Sequence, residues 1–214
     1  MKRLAISLVT LAATVNVQAD NTVLYQSPTL SSISNAVLCD GSLYVAFAKD
    51  PKHPSGYPDG NSSFGNLFLL VNKTAVAVDS SGFVAEQASS SIQCDSTNKV
   101  HLAYQKWAGF SYAFDSPYMI YSGSKRISTA AVFNDANWGY YTGLALDSSD
   151  KAHTIQFGHA GYFLNYSDNM AGSWQNDNIS GFGTYYHYPT IAIDSSDKAH
   201  LMTSQLSADT AHWV

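Results

Sequence analysis

"LDSSDKAH", Leu146 to His153, returns as "IDSSDKAH", Ile193 to His200, with one apolar residue exchanged for another. Two further segments share the frame: "AVLCDGSLYVAF" from Ala36 and "SIQCDSTNKVHLAY" from Ser91. Each alternates apolar with small or polar residues, reaches an Asp, turns through Ser, Asn, Asp or Gly, and alternates again. That is a strand, a tight turn and a second strand. The aspartates Asp40, Asp95, Asp147 and Asp194 are spaced by 55, 52 and 47 residues. A period of about 50 residues holding about four short strands marks a β-propeller blade.

The rest of each period agrees. "NLFLLV" (66–71), "YMIYSG" (118–123) and "YFLNYS" (162–167) read as third strands, followed by "TAVAVD", "ISTAAVF" and "SWQNDNI" as outer strands. Beyond the N-terminus no segment has helical periodicity. The expected fold is all-β: a β-propeller of four-stranded antiparallel blades, an incomplete ring of three blades plus part of a fourth. The repeat units are about 33–88, 89–140, 141–187 and a truncated 188–214.

The repetition decides how its residues are read. A catalytic group is needed once per site, whereas a residue present in each unit serves the fold of each unit. Asp147 and Asp194 are expected to accept backbone hydrogen bonds across their turns, and Asp150, Asp197 and Asn98 to take the left-handed backbone. His101, His153 and His200 open the second strands beside the Leu146-type position and are expected to be structural, hydrogen-bonded imidazoles. Cys39 and Cys94 fall in the slot of Leu146 and Ile193. Equivalent slots on neighbouring blades should lie beyond the disulfide limit of about 7 Å, so two separate buried thiols are expected.

These repeats resemble the sialidase-like, BNR-type β-propeller repeats of secreted bacterial proteins, in which an apolar-Ala-apolar-Asp-Ser-Ser-Gly-Lys-x-His-apolar phrase recurs. "YSDNMAGSW" (166–174) is similar to their Asp-box turn but departs from it in spacing around Asp168 and Gly172. The resemblance covers essentially the whole chain after residue 19. It implies the propeller fold, and a function anywhere among hydrolases, lyases, lectins and other modules.

Residues 1–19 read as an export signal: Lys2 and Arg3, an apolar run from Leu4 to Val15, then Val17-Gln18-Ala19 as a cleavage site. A secreted or periplasmic domain of residues 20–214 is expected, not membrane-spanning. The formal net charge is −5 and no basic patch stands out, so nucleic acid is not an expected partner. No cofactor is implied. No metal site is implied either: His153 and His159, six residues apart on an extended strand, would lie about 20 Å apart.

The longer connections gather opposite the tight turns and are crowded with rings. Trp107, Tyr112, Trp138, Tyr140, Tyr141, Tyr185, Tyr186 and Tyr188 are the candidate ligand-binding residues, since flat rings pack on sugar faces. The same rings would also serve to plug the channel or cover blade edges. The expected partner is a glycan or another extracellular polymer, with self-association through open propeller edges a further expectation.

Chemistry is constrained by scarcity. After residue 3 the only arginine is Arg126, and the only glutamate in the chain is Glu86. The resemblance implies, for a sialidase, three arginines beside a Tyr/Glu pair and an Asp, which this chain does not hold. A polyuronide lyase would use His159 or His187 as base and Tyr188 as acid, with Arg126 or Lys106 neutralising the carboxylate. A glycoside hydrolase would draw two aspartates from Asp50, Asp59, Asp115 and Asp135. Binding without turnover is the leading expectation, and a protein-binding scaffold is a third.

Overall fold

The computed structural model describes residues 30–52, 64–84, 90–107, 114–135, 139–158, 163–179, 185–206 and 211–213. The regular elements among them are all strands. β1 (Leu30–Cys39), β2 (Ser42–Lys52), β3 (Phe64–Val71) and β4 (Thr74–Val84) form an antiparallel meander. In the second blade β5 (Ser90–Cys94) pairs with β6 (Val100–Tyr104). β6 and its short continuation β7 (Lys106–Trp107) pair with β8 (Phe114–Ser122), which pairs with β9 (Lys125–Asp135). β10 (Gly139–Leu146), β11 (Ala152–Gly158), β12 (Phe163–Asp168) and β13 (Gln175–Asn178) form the third. β14 (Tyr185–Ile193), β15 (Ala199–Leu206) and β16 (Ala211–Trp213) form the fourth sheet. The inner strands β1, β5, β10 and β14 pack each against the next. The fold is therefore a β-propeller of four-stranded antiparallel blades, three of them followed by the three-stranded fourth sheet; one pair between blades, Phe83 of β4 with Lys106 of β7, joins the first two into a continuous sheet.

Alternation turns one face of each sheet to the blade before and the other to the blade after. The first seam joins Tyr44, Ala46, Leu67 and Leu69 to Ile92, Leu102, Tyr104 and Met119. The second joins Ala103, Tyr118 and Val132 to Leu144 and Ala152, with Trp174 edge-on to Tyr118 at 5.1 Å. The third joins Ala145, Ile155 and Leu164 to Ile191 and Ile193. Each fully buried Leu or Ile stabilises these seams by about 1.5–3 kcal/mol. Gly143 sets the approach of the third seam: a Cβ there would stand 2.8 Å from Ile155 Cγ2 and 3.3 Å from Ile191 Cγ2.

The repeated phrase folds into one turn. Asp147 N donates to Lys151 O and Asp150 N to Asp147 O, while Asp147 Oδ1 accepts from Ser149 N and Lys151 N, both at 2.8 Å. Asp95 and Asp194 repeat this pattern. Asn98, Asp150 and Asp197 have φ of 62°, 60° and 59°, the left-handed values expected of them. The second aspartate of the phrase has a further use. Asp150 accepts from Ser96 N at 2.8 Å and Ser96 Oγ at 2.5 Å, and Asp197 likewise from Ser148 N and Oγ at 2.8 and 2.6 Å. Each such carboxylate clasps the turn of the blade before it.

The first blade departs from the frame, and this overturns the expectation of two free thiols. Cys39 pairs directly with Ser42 across a two-residue turn, Asp40 and Gly41, with φ of 48° and 69°. Both positive φ values suit the tight hairpin turn that matches strand twist. In the other blades four or more residues make the turn. Val37 and Cys39 consequently face forward into the first seam, whereas Leu146 and Ile193 face the blade behind them. A one-residue change of frame reverses the face of every side chain. Cys39 therefore does not occupy the Leu146 slot; it meets Cys94 across the seam and forms a disulfide with Cα atoms 5.6 Å apart.

Candidate functional site

Two of the three repeated histidines, His101 and His153, form buried relays. His101 Nε2 lies 2.9 Å from Asp95 Oδ2, and its Nδ1 meets the Tyr118 hydroxyl. His153 sits between Asp147 at 3.5 Å and the Tyr166 hydroxyl at 2.6 Å. Burial, and then the charge of Asp95, raise the Tyr118 pKa; burial first, then Asp168, push Tyr166 up to about 12. The Tyr118 hydroxyl therefore stays protonated and donates to His101 Nδ1, which leaves Nε2–H to donate to Asp95, while the protonated Tyr166 hydroxyl is shared between His153 and Asp168. Burial pushes the Asp95 carboxyl up, but hydrogen bonds from Lys99 N, His101 and Thr97 outweigh it and hold it below the ordinary range. Asp, His and Tyr here resemble a base relay in composition, yet the imidazoles of His101 and His153 are enclosed between blades, in keeping with a structural role. One detail differs from expectation: His153 stands opposite Ala145, one position from Leu146, and so faces the blade after.

The ring-bearing end is defined by backbone register. Trp107 closes β7, Tyr140 and Tyr141 open β10, and Tyr185, Tyr186, His187 and Tyr188 open β14. All lie at the end of their sheets remote from the Asp-Ser-Ser-Asp turns. These residues stand in strands, where the sequence reading put them in connections; Tyr and Trp favour pleated, half-buried surface. Tyr112, Trp138 and His159 lie outside the described residues. Arg126 is not with this group. It pairs with Tyr121, which pairs with Val100 beside the turn after β5, so it sits at the opposite, tight-turn end of its blade. Below the ring-bearing end the second seam turns polar: Ser116 Oγ donates to Gln156 Oε1 at 2.6 Å, and Thr142 lies opposite Gln156.

A groove of about 520 Å³ opens between the outer strands of the first two blades, where radially arranged sheets diverge. Val78, Pro117 and Met119 line it as apolar wall, and Asp79, Tyr104, Lys106, Asp115 and Arg126 bring its charges and hydroxyl. Tyr104 donates to Asp79 Oδ2 at 2.7 Å, and Lys106 Nζ lies 3.7 Å from the same oxygen. Burial, then the bond to Asp79, raise the Tyr104 pKa, so it remains a donor. Lys106 and Asp115 are register partners on adjacent strands. Arg126 is exposed, with Nη1 3.8 Å from Met119 Sδ. Asp79 and Tyr104 escaped the sequence reading; a buried tyrosine in "VHLAY" needing a partner for its hydroxyl was the signal.

Four-stranded antiparallel blades arrayed around inner strands define the class as a β-propeller. No protein-family model matches the chain, and no curated protein matches it. A xylan β-1,4-xylosidase from Bacillus halodurans C-125 superposes over 88% of this chain and 41% of its own, with TM-score 0.53 at 11% identity. The NanB sialidase from Streptococcus pneumoniae superposes over 85% of this chain and 29% of its own, with TM-score 0.51 at 11% identity. Its K499G mutant gives 86%, 30%, 0.51 and 12% in the same order. The chain spans less than half the length of these proteins, and at such identities the likeness is one of fold.

Proposed function

We propose that this chain is an exported propeller module that binds glycan through the ring-bearing end. The observation that carries the reading is the register of β7, β10 and β14, which brings Trp107, Tyr140, Tyr141, Tyr185, Tyr186 and Tyr188 to one end of three sheets. Rings on a rigid scaffold offer apolar faces to sugars at low entropic cost. Superposition on a xylosidase and a sialidase makes a saccharide the ligand class to try first. Export is supported by the N-terminal segment and by the Cys39–Cys94 disulfide, a bond that persists in oxidising compartments. Kinship with BNR-type repeats is part of the same reading.

The test is a glycan array probed with the whole chain, repeated with Trp107→Ala and Tyr186→Ala. Binding weakened about tenfold or more by either change supports the reading. No glycan signal, together with a specific protein pulled from the native secretome, would replace it with a protein-binding scaffold. Assays for unsaturated and reducing-end products run on the same glycans. Turnover abolished by His159→Ala or His187→Ala would make the module a lyase.

A further inference from the structure

Arg126 stands apart from the other charged groups of the lateral groove. Asp79 receives Tyr104 and Lys106, and Asp115 lies opposite Lys106 in the ladder. Arg126, the only arginine after residue 3, has a thioether within hydrogen-bond reach and no carboxylate within ion-pair distance among the described residues. Its guanidinium borders a cavity whose apolar wall is Val78, Pro117 and Met119 and whose polar groups otherwise include two carboxylates. A volume of about 520 Å³ lies within the usual range of small-ligand sites, about 300–1,000 Å³.

That arrangement selects a particular chemistry. A guanidinium without an acid partner binds a carboxylate through paired, charge-assisted hydrogen bonds. Asp79 and Asp115 are acceptors suited to ring hydroxyls. The apolar wall suits the C–H face of a pyranose. We propose that the groove between the first two blades is a second saccharide site, specific for an acidic sugar whose carboxylate is held by Arg126. The groove runs along the outer strands from Arg126, at the tight-turn half, to Lys106 and Asp115 toward the ring-bearing end, so the carboxylate would be held at the end remote from the rings. The inference rests on the reading of the chain as a glycan-binding module, and it adds the class of sugar and a separate place for it.

Trigalacturonate and its fully methyl-esterified form are the probes, because esterification removes the charge and keeps the rings. Calorimetry with the whole chain should show the acid bound about tenfold or more tightly over the ester, the discrimination expected of one charge-assisted contact. Arg126→Gln should erase that preference while leaving binding of neutral glycans at the ring-bearing end unchanged. Arg126→Lys should keep part of it. Hydrogen exchange should show trigalacturonate protecting β4 and β9, not the starts of β10 and β14. Equal affinity for acid and ester, or a preference that survives Arg126→Gln, overturns the acidic-sugar site while neutral binding still stands. No binding of any saccharide overturns both readings. Arg126 is exposed, so the variants are expected to fold, and an unchanged far-ultraviolet circular dichroism spectrum checks it.

Discussion

The third sheet and the fourth carry the same eight-residue phrase in different surroundings. In the third, the His153 side chain is 1% exposed; in the fourth, His200 is 64% exposed. Two residues further on, Ile155 is fully buried while Met202 is 61% exposed. Local geometry barely notices. Asp194 N donates to Lys198 O at 3.0 Å as Asp147 N does to Lys151 O, and His200 still reaches Asp194 at 2.8 Å. The phrase thus builds its own hairpin from an Asp, a left-handed residue and a histidine, whereas burial comes from the neighbouring blade. Geometry is a property of the repeat, and stability a property of the seam.

The largest test of that division concerns the first seam, the one with a covalent link and, among the described residues, no carboxylate clasp between turns. Breaking Cys39–Cys94, which closes a 55-residue separation, by the double change Cys39→Ser and Cys94→Ser should cost about 4 kcal/mol in urea unfolding. A loss below about 1 kcal/mol would mean that apolar packing and the β4–β7 pair hold the first two blades without the covalent link. Next in size is the pair His153→Ala and His200→Ala. Removing His153 opens a hole in a closed seam and takes the imidazole partner from Asp147 Oδ2, and should cost about 3 kcal/mol. Removing the exposed His200 should cost less than about 0.5 kcal/mol. Equal losses would break the comparison, because they would place the histidine's worth within its own hairpin.

Much of this was legible in the sequence. Alternation around a recurrent Asp specified the strands, the turns and the radial repeat, since each is a short-range consequence of residue type. Asn98, Asp150 and Asp197 were readable as left-handed positions for the same reason. The disulfide was not, because "LCDGS" aligns by eye with "QCDST" while its turn is shorter, and the resulting change of face is invisible without the pairing register. The relays were half legible: Asp and His belong to the phrase, but Tyr118 and Tyr166 come from third strands outside it. For the aromatic residues, the sequence reading missed that β10 and β14 extend through their tyrosines. The lateral groove had no sequence signature, since it joins β4 to β8 and β9 across a seam.

Smaller effects should follow the inter-turn clasps. Ser148 gives both N–H and hydroxyl to Asp197, and Ser196 N is already used within its own turn. Ser195 is the equivalent of Ser148 in the fourth sheet, with no carboxylate clasp among the described residues. Ser148→Ala should lower the melting temperature measurably and Ser195→Ala should leave it unchanged. A matching drop in both would show that the hydroxyl matters to the hairpin and not to the contact between blades.

The finest test uses pH and salt. Asp95 and Asp194 both titrate below the ordinary aspartate range in the folded chain. In Asp95 burial opposes the shift and is outweighed by hydrogen bonds from Lys99, His101 and Thr97; in Asp194 the His200 contact leads, followed by Lys198 N and Ser196 N. A carboxyl with a depressed folded value adds stability that is fully present above about pH 4, where the unfolded chain is ionised. That stability is withdrawn as pH falls through the folded value. Unfolding should therefore become easier on acidification below about pH 4. The two sites should part company when salt is raised, because screening reaches exposed charges far more than enclosed ones. Carboxyl titration by NMR at low and at molar salt should find Asp194 moving toward its ordinary value and Asp95 nearly fixed. Equal movement of the two would mean that the second seam admits solvent as freely as the open face of the fourth sheet.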